Sequence, residues 1–229
     1  LPKATARGIA AASGGRAWAT TFRGVARFDG TWWHRVPEAD AMLGDEIGAI
    51  AIDERDGRDA VWVGGVGEAA RYDGARWQHY GEDEGVPAGV RLVGVAVDQA
   101  GTAWFGTDGI GILACDAVHC EIAPGTAGLF DGAWGPRIAF DGAGRPWVTL
   151  VAADDRDGLY HFDGSAWRHY GVADGLLDNY PIDVTVGPDG RVWTATLYGL
   201  SVFTPPDAAP VLPSTPPPAP TIPVADAPK

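Results

Sequence analysis

Apolar and polar positions alternate in short runs along most of the chain, and Gly, Asp and Pro cut the runs. The clearest cases are Gly94-Val95-Ala96-Val97-Asp98 and Asp183-Val184-Thr185-Val186, each ending in a polar turn. A period of two sends successive side chains to opposite faces and predicts half-buried strands rather than helices. Five tryptophans follow such runs at even spacing: Trp18, Trp62, Trp104, Trp147 and Trp193 lie 44, 42, 43 and 46 residues apart. Each sits in a second short strand, such as Val61-Trp62-Val63-Gly64. A third strand ends in an aromatic-Asp-Gly turn at Phe28-Asp29-Gly30, Tyr72-Asp73-Gly74 and Phe162-Asp163-Gly164. Asp-Gly between β-prone runs is a strong hairpin signal, because the turn needs positive φ. A fourth strand then carries Trp33, Trp77 or Trp167.

Four short antiparallel strands recurring every 40–50 residues are the signature of a propeller blade. The expected fold is therefore all-β: a five-bladed β-propeller over residues 1–203, with repeats at about 8–47, 48–92, 93–136, 137–181 and 182–203, and a Pro-rich extended tail at 204–229. The recurring Trp is expected to fill the wedge between neighbouring blades. Two units depart from the pattern. In the third, the run from Cys115 to Cys120 replaces the aromatic-Asp-Gly turn and the Trp after it, with His119 expected in the slot of Trp33 and Trp77. The fifth ends at Phe203 without a fourth strand, so ring closure would fall to Leu1–Ala6 or to part of Ala208–Leu212.

Trp104-Phe105-Gly106-Thr107-Asp108-Gly109-Ile110-Gly111-Ile112 resembles the two-component regulator propeller repeat, and Asp174-Gly175-Leu176-Leu177-Asp178-Asn179 resembles the linker between its blades. The resemblance covers most of Gly8–Phe203. It implies an extracytoplasmic sensing or scaffolding propeller, without the helical transmitter or kinase region often fused to such domains.

Composition narrows the classes. All 23 aromatics lie before Thr204, whereas the last 26 residues hold 10 of the 18 prolines. No apolar run approaches the ~20 residues needed for a membrane-spanning helix. With 17 basic and 30 acidic residues the net charge is −13, which would repel a phosphate backbone, so nucleic acid is not an expected partner. The chain opens at Leu1 with neither Met nor a basic-then-apolar leader, as after removal of a signal segment or from a later start. Cys115 and Cys120 are the only cysteines, and their spacing suits a disulfide across a hairpin, which would mean an oxidising compartment. Free thiols and a metal site are the alternatives; the lost aromatic packing favours the disulfide.

Catalytic signals are absent. There is no Gly-x-Ser-x-Gly and no His-Glu-x-x-His. His79 and His169 share a repeat slot in Trp-x-His-Tyr, and His161 shares one with Arg27 and Arg71, so all three read as surface structure. Gly64-Gly65-Val66-Gly67 joins two strands and lacks the helix that a dinucleotide loop needs. The runs Asp53–Asp59 and Asp154–Gly158 offer oxygens suited to calcium, but their arginines favour solvated turns, and no metal or cofactor is expected.

If the first strand of each blade is innermost, 16 of the 30 acids share one face, among them Glu82, Asp83, Glu84, Asp154, Asp155, Asp157, Asp174 and Asp178. That face is either a docking surface for a basic partner or a solubilising one. The leading functional expectation is a non-enzymatic extracytoplasmic module for protein–protein interaction or assembly. A glycan-binding propeller comes second, and a lyase or hydrolase in the central channel last. The tail, with Val211, Leu212, Ile222 and Val224 as apolar anchors, should run as polyproline II and act as an assembly strap or a spacer.

Overall fold

The computed structural model describes residues 5–44, 46–54 and 59–205, and they form five antiparallel sheets in chain order. Sheet 1 comprises β1 (Ala6–Ala11), β2 (Ala17–Thr21), β3 (Gly24–Phe28) and β4 (Trp33–Arg35). After a single-turn helix α1 (Pro37–Asp40), sheet 2 holds β5 (Ala49–Asp53), β6 (Ala60–Gly64), β7 (Ala69–Tyr72) and β8 (Trp77–Tyr80). Sheet 3 is β9 (Leu92–Val97), β10 (Ala103–Thr107), β11 (Gly111–Cys115) and β12 (Cys120–Ile122). Sheet 4 is β13 (Ile138–Phe140), β14 (Pro146–Leu150), β15 (Gly158–Phe162) and β16 (Trp167–Tyr170). Sheet 5 has three strands, β17 (Pro181–Val186), β18 (Val192–Thr196) and β19 (Gly199–Phe203).

Strand order within each sheet follows the chain, and the first strands converge. Residues of β1, β9, β13 and β17, and Gly48, Ala49 and Ile50 at β5, line one central cavity of about 360 Å³. Neighbouring first strands approach one another from β1 round to β17, but no comparable approach joins β17 to β1 among the described residues.

Local chemistry explains the repetition. At the outer hairpin of sheets 1 to 4 an Asp accepts two backbone N–H groups: Asp29 from Thr31 and Trp32, Asp73 from Ala75 and Arg76, Asp116 from Val118 and His119, and Asp163 from Ser165 and Ala166. These bonds favour the charged form and hold all four carboxyls below their ordinary value. The Trp32 amide contributes most at Asp29, whose pKa falls to about 2. The leading donors elsewhere are the Arg76 amide at Asp73, the His119 amide at Asp116 and the Ser165 hydroxyl at Asp163. The Gly after Asp has φ of 102° at Gly30, 93° at Gly74 and 101° at Gly164, as the turn requires.

Between sheets the spacing is close. A Cβ on Gly106 would lie 1.8 Å from the Pro136 carbonyl oxygen, and one on Gly64 2.8 Å from Leu92, so these positions admit only glycine. Thr107 then donates its hydroxyl to the Gly111 carbonyl at 2.8 Å, tying β10 to β11, and Thr21 and Thr196 do the same in their sheets.

Cys115 and Cys120 form a disulfide and face each other directly in the β11–β12 register. That register corrects the expected place of His119. Cys115 stands where Phe28, Tyr72 and Phe162 stand, and Cys120, not His119, takes the slot of Trp33, Trp77 and Trp167. In the other three sheets this slot holds an aromatic pair 5.3–5.5 Å apart. Sheet 3 replaces that pair with a covalent bond.

Candidate interaction site

Register places the five tryptophans identically, each on the second strand of its sheet. Their direct partners on the third strand are Arg27, Arg71, Ala114, His161 and Val202. Each of the first four rings then meets the next sheet: Trp18 packs against Tyr72 and Trp77, Trp62 against Phe105, Trp104 against Phe140, and Trp147 against Phe203. Partners on the same sheet cover the other side. Arg27 and Arg71 lie over Trp18 and Trp62 at 5.5 and 5.6 Å, and the His161 ring stacks on Trp147 at 4.0 Å. His161 is therefore buried, not a surface histidine; the shared slot is a stacking position on the tryptophan, and Trp147 lies deep enough to exclude water from it.

Trp193 differs. No sheet follows it among the described residues, and its side of sheet 5 carries Leu200 and Val202, 55% and 47% exposed. The β18–β19 turn adds Leu197 at 59% and Tyr198 at 83%. The apolar face that the following sheet meets in sheets 1 to 4 is met by no sheet here among the described residues; Trp193 itself is half-buried, with Arg191 5.5 Å from its ring.

The acidic candidates divide. Glu84 and Asp174 each turn a carboxylate onto the backbone N–H three residues back, at Gly81 and Gly171, and cap the single-turn 3-10 segments that follow β8 and β16. Asp157 accepts from the Ala152 amide at 2.7 Å, and Asp178 from the Tyr180 amide. Asp154 pairs with Arg156, whose remaining N–H groups reach the Leu129 and Asp131 carbonyls at 2.8 Å. In that loop a guanidinium already holds the Asp154 carboxylate, one of the groups considered for calcium. Glu82, Asp83 and Asp155 remain exposed. Of the other calcium-type run, residues 55–58 lie outside the described residues, and Asp59 binds Arg16 and the Trp18 Nε1–H. Val211, Leu212, Ile222 and Val224 also lie outside the described residues.

The outer-strand histidines have local partners. His79 Nε2 is 3.3 Å from a Glu68 carboxylate oxygen and His169 Nε2 is 2.9 Å from the Asp157 carbonyl, so the shared slot pins the fourth strand to the loop between the second and third. The central cavity presents Arg7, Arg137 and Asp183 as its charged lining, and Arg137 donates to the Val93 carbonyl across the seam. No histidine lines it among the described residues. Sequence reasoning missed the open face of sheet 5, although the missing fourth strand after Phe203 was its one available signal.

No family model and no curated protein matches the sequence. Solved structures do share its fold. The extracellular domain of the putative hybrid two component system BT4673 from B. thetaiotaomicron superposes with a TM-score of 0.64 at 16% identity, over 86% of this chain and 27% of that one. The corresponding domain of BT3049 from B. thetaiotaomicron gives 0.64 at 17%, over 89% and 28%. Virginiamycin B lyase from Staphylococcus aureus, in a catalytically inactive form with quinupristin, gives 0.59 at 15%, over 90% and 72%. The chain thus spans about a quarter of the length of the two extracellular domains. Its five sheets have the propeller fold of those extracellular domains, in agreement with the two-component regulator propeller pattern of its repeats.

Proposed function

We propose that this chain is a non-enzymatic extracytoplasmic binding module, a five-bladed propeller unit that associates with another protein. The observation that carries the reading is the open face of sheet 5, where Leu200 and Val202 flank a Trp193 that no further sheet meets among the described residues. Contiguous exposed apolar surface of this kind marks interaction sites. The disulfide supports an oxidising location, and the extracellular domains that share the fold support the same compartment. In this reading the exposed Glu82, Asp83 and Asp155 meet a basic surface on the partner, and the tail acts as a strap laid along the partner by Val211, Leu212, Ile222 and Val224. The test is to cross-link the full chain in its native source and compare it with a Leu200→Asp/Val202→Asp variant. A defined complex that the variant loses, with its fold retained by circular dichroism, supports the reading; an unchanged complex refutes it. A chain ending at Phe203 should keep its fold and bind more weakly.

A glycan-binding reading rests on Trp32, 72% exposed beside the Asp29 turn. Saturable binding on a glycan array that Trp32→Ala abolishes would favour it.

A further inference from the structure

The seams between sheets are not equally closed. At the seam of sheets 2 and 3, the Gln78 amide donates to the Ala117 carbonyl at 3.1 Å and the Tyr80 hydroxyl to the Asp116 carbonyl at 3.0 Å. At the seam of sheets 1 and 2 the corresponding places hold His34 and Val36. Val36 has no donor to send across. His34 turns back to Asp29 at 2.7 Å and Arg35 to Asp40 at 2.5 Å, so the polar side chains of β4 are spent within their own part of the chain. The seam stays open as a groove of about 530 Å³.

Its lining combines two chemistries. Trp18, Tyr72 and Trp77 form an aromatic wall, with ring centroids 5.3–6.0 Å apart, and Val36 and Met42 extend it. Arg27, Arg35 and Arg76 line the same groove, against Glu38 as its acid. Arg35 is paired, but the buried Nε of Arg27 meets no hydrogen-bond acceptor among the described residues. Arg76 makes no ion pair among the described residues, although its charge acts on Asp73, the acid that its own backbone amide caps. Guanidinium groups match carboxylates in a bidentate fork. On a chain of net charge −13, a concentration of arginines beside an aromatic wall runs against the general field.

We infer that this groove binds a small organic acid, a carboxylate carried on a flat aromatic or apolar body. The body lies against Trp77 and Tyr72, and the carboxylate meets Arg27 and Arg76. The volume falls in the range of small-molecule sites, which pair apolar walls with a few placed polar groups.

The probe is phenylacetate, with 2-phenylethanol as its neutral counterpart and acetate as the bare anion, titrated into the full chain by calorimetry. A body of about ten non-hydrogen atoms sets a dissociation constant of ~1 mM. Phenylacetate is expected to saturate there, and the alcohol and acetate to bind at least tenfold more weakly. Arg27→Gln and Arg76→Gln should each weaken phenylacetate about tenfold. Arg76 is exposed, so its variant reads binding even if Arg27→Gln disturbs folding. Arg168→Gln, on the outer strand of sheet 4, should change nothing. No saturation by roughly 10 mM, equal binding of acid and alcohol, or an unaffected Arg76→Gln would each overturn the inference, without touching the association assigned to sheet 5.

Discussion

Trp147 and Trp193 occupy the same register position one sheet apart, yet one is 0% exposed and the other stands at the edge of an open apolar face. On Trp147, His161 covers one side at 4.0 Å, and Phe203 of the next sheet meets it at 5.9 Å. On Trp193 the third-strand partner is Val202, itself 47% exposed, and no sheet follows among the described residues. The difference teaches that strand pattern puts a tryptophan on a face, whereas the neighbouring sheet decides whether that face is core. An isolated sheet of this kind cannot bury its own ring, as expected where each repeat contacts only its neighbours.

The largest effect should come from truncating the two rings. Trp147→Ala is expected to cost ~3–5 kcal/mol in urea unfolding, through lost transfer energy and the cavity left behind. Trp193→Ala should cost less, because its ring is only partly buried and no sheet packs over it among the described residues. Equal losses would break the comparison and mean that sheet 5 is covered in solution.

Next in size is the disulfide, which takes the place of an aromatic pair between third and fourth strands. Cys115→Ala/Cys120→Ala should lower stability by ~2 kcal/mol, the loop-closure value for so short a span. Cys115→Phe/Cys120→Trp should recover part of it by restoring the pair of the other sheets. If the aromatic variant is no better than the alanine one, the slots are not equivalent.

Acid should separate the outer hairpins of sheets 1 to 4 from the β18–β19 hairpin of sheet 5. Asp29, Asp73, Asp116 and Asp163 are held below their ordinary carboxyl value of 3.8, Asp29 at about 2, by amides and hydroxyls that bond only the charged form. Their contribution is complete above the unfolded value and is lost as pH falls from about 4 towards 2. Hydrogen exchange at decreasing pH, corrected for intrinsic rates, should show the outer hairpins of the first four sheets losing protection across that window. The β18–β19 hairpin, which has no such Asp, should not change with them.

The smallest stability change is expected on the open face. Leu200→Asp/Val202→Asp should leave the unfolding free energy within about 1 kcal/mol, since both side chains are exposed, while removing association. A large destabilisation would show that the face is covered.

Much of the fold was legible in the chain because its determinants are local. Alternation, the Asp-Gly turns and the tryptophan spacing each act over a few residues, and they placed the strands of all five sheets. The candidate site was less legible. Glu84, Asp157, Asp174 and Asp178 read as free charges in sequence, yet each carboxylate caps a nearby amide, and nothing in a run of acids shows whether a backbone N–H lies within reach.

By itself the sequence determined an all-β chain of five repeats, the turn at each outer hairpin, a cysteine pair at hairpin spacing in the third and a fourth strand lacking in the fifth. Period-two burial and positive-φ turns need no distant partner. Tertiary structure alone decided what depends on two sheets meeting. It buried His161 on Trp147, put Cys120 rather than His119 in the aromatic slot, left Trp193 beside an open face, and closed the seam of sheets 2 and 3 through Gln78 and Tyr80 while leaving that of sheets 1 and 2 open. Those outcomes rest on distances of a few ångströms between residues about 40 positions apart, and no local pattern encodes them.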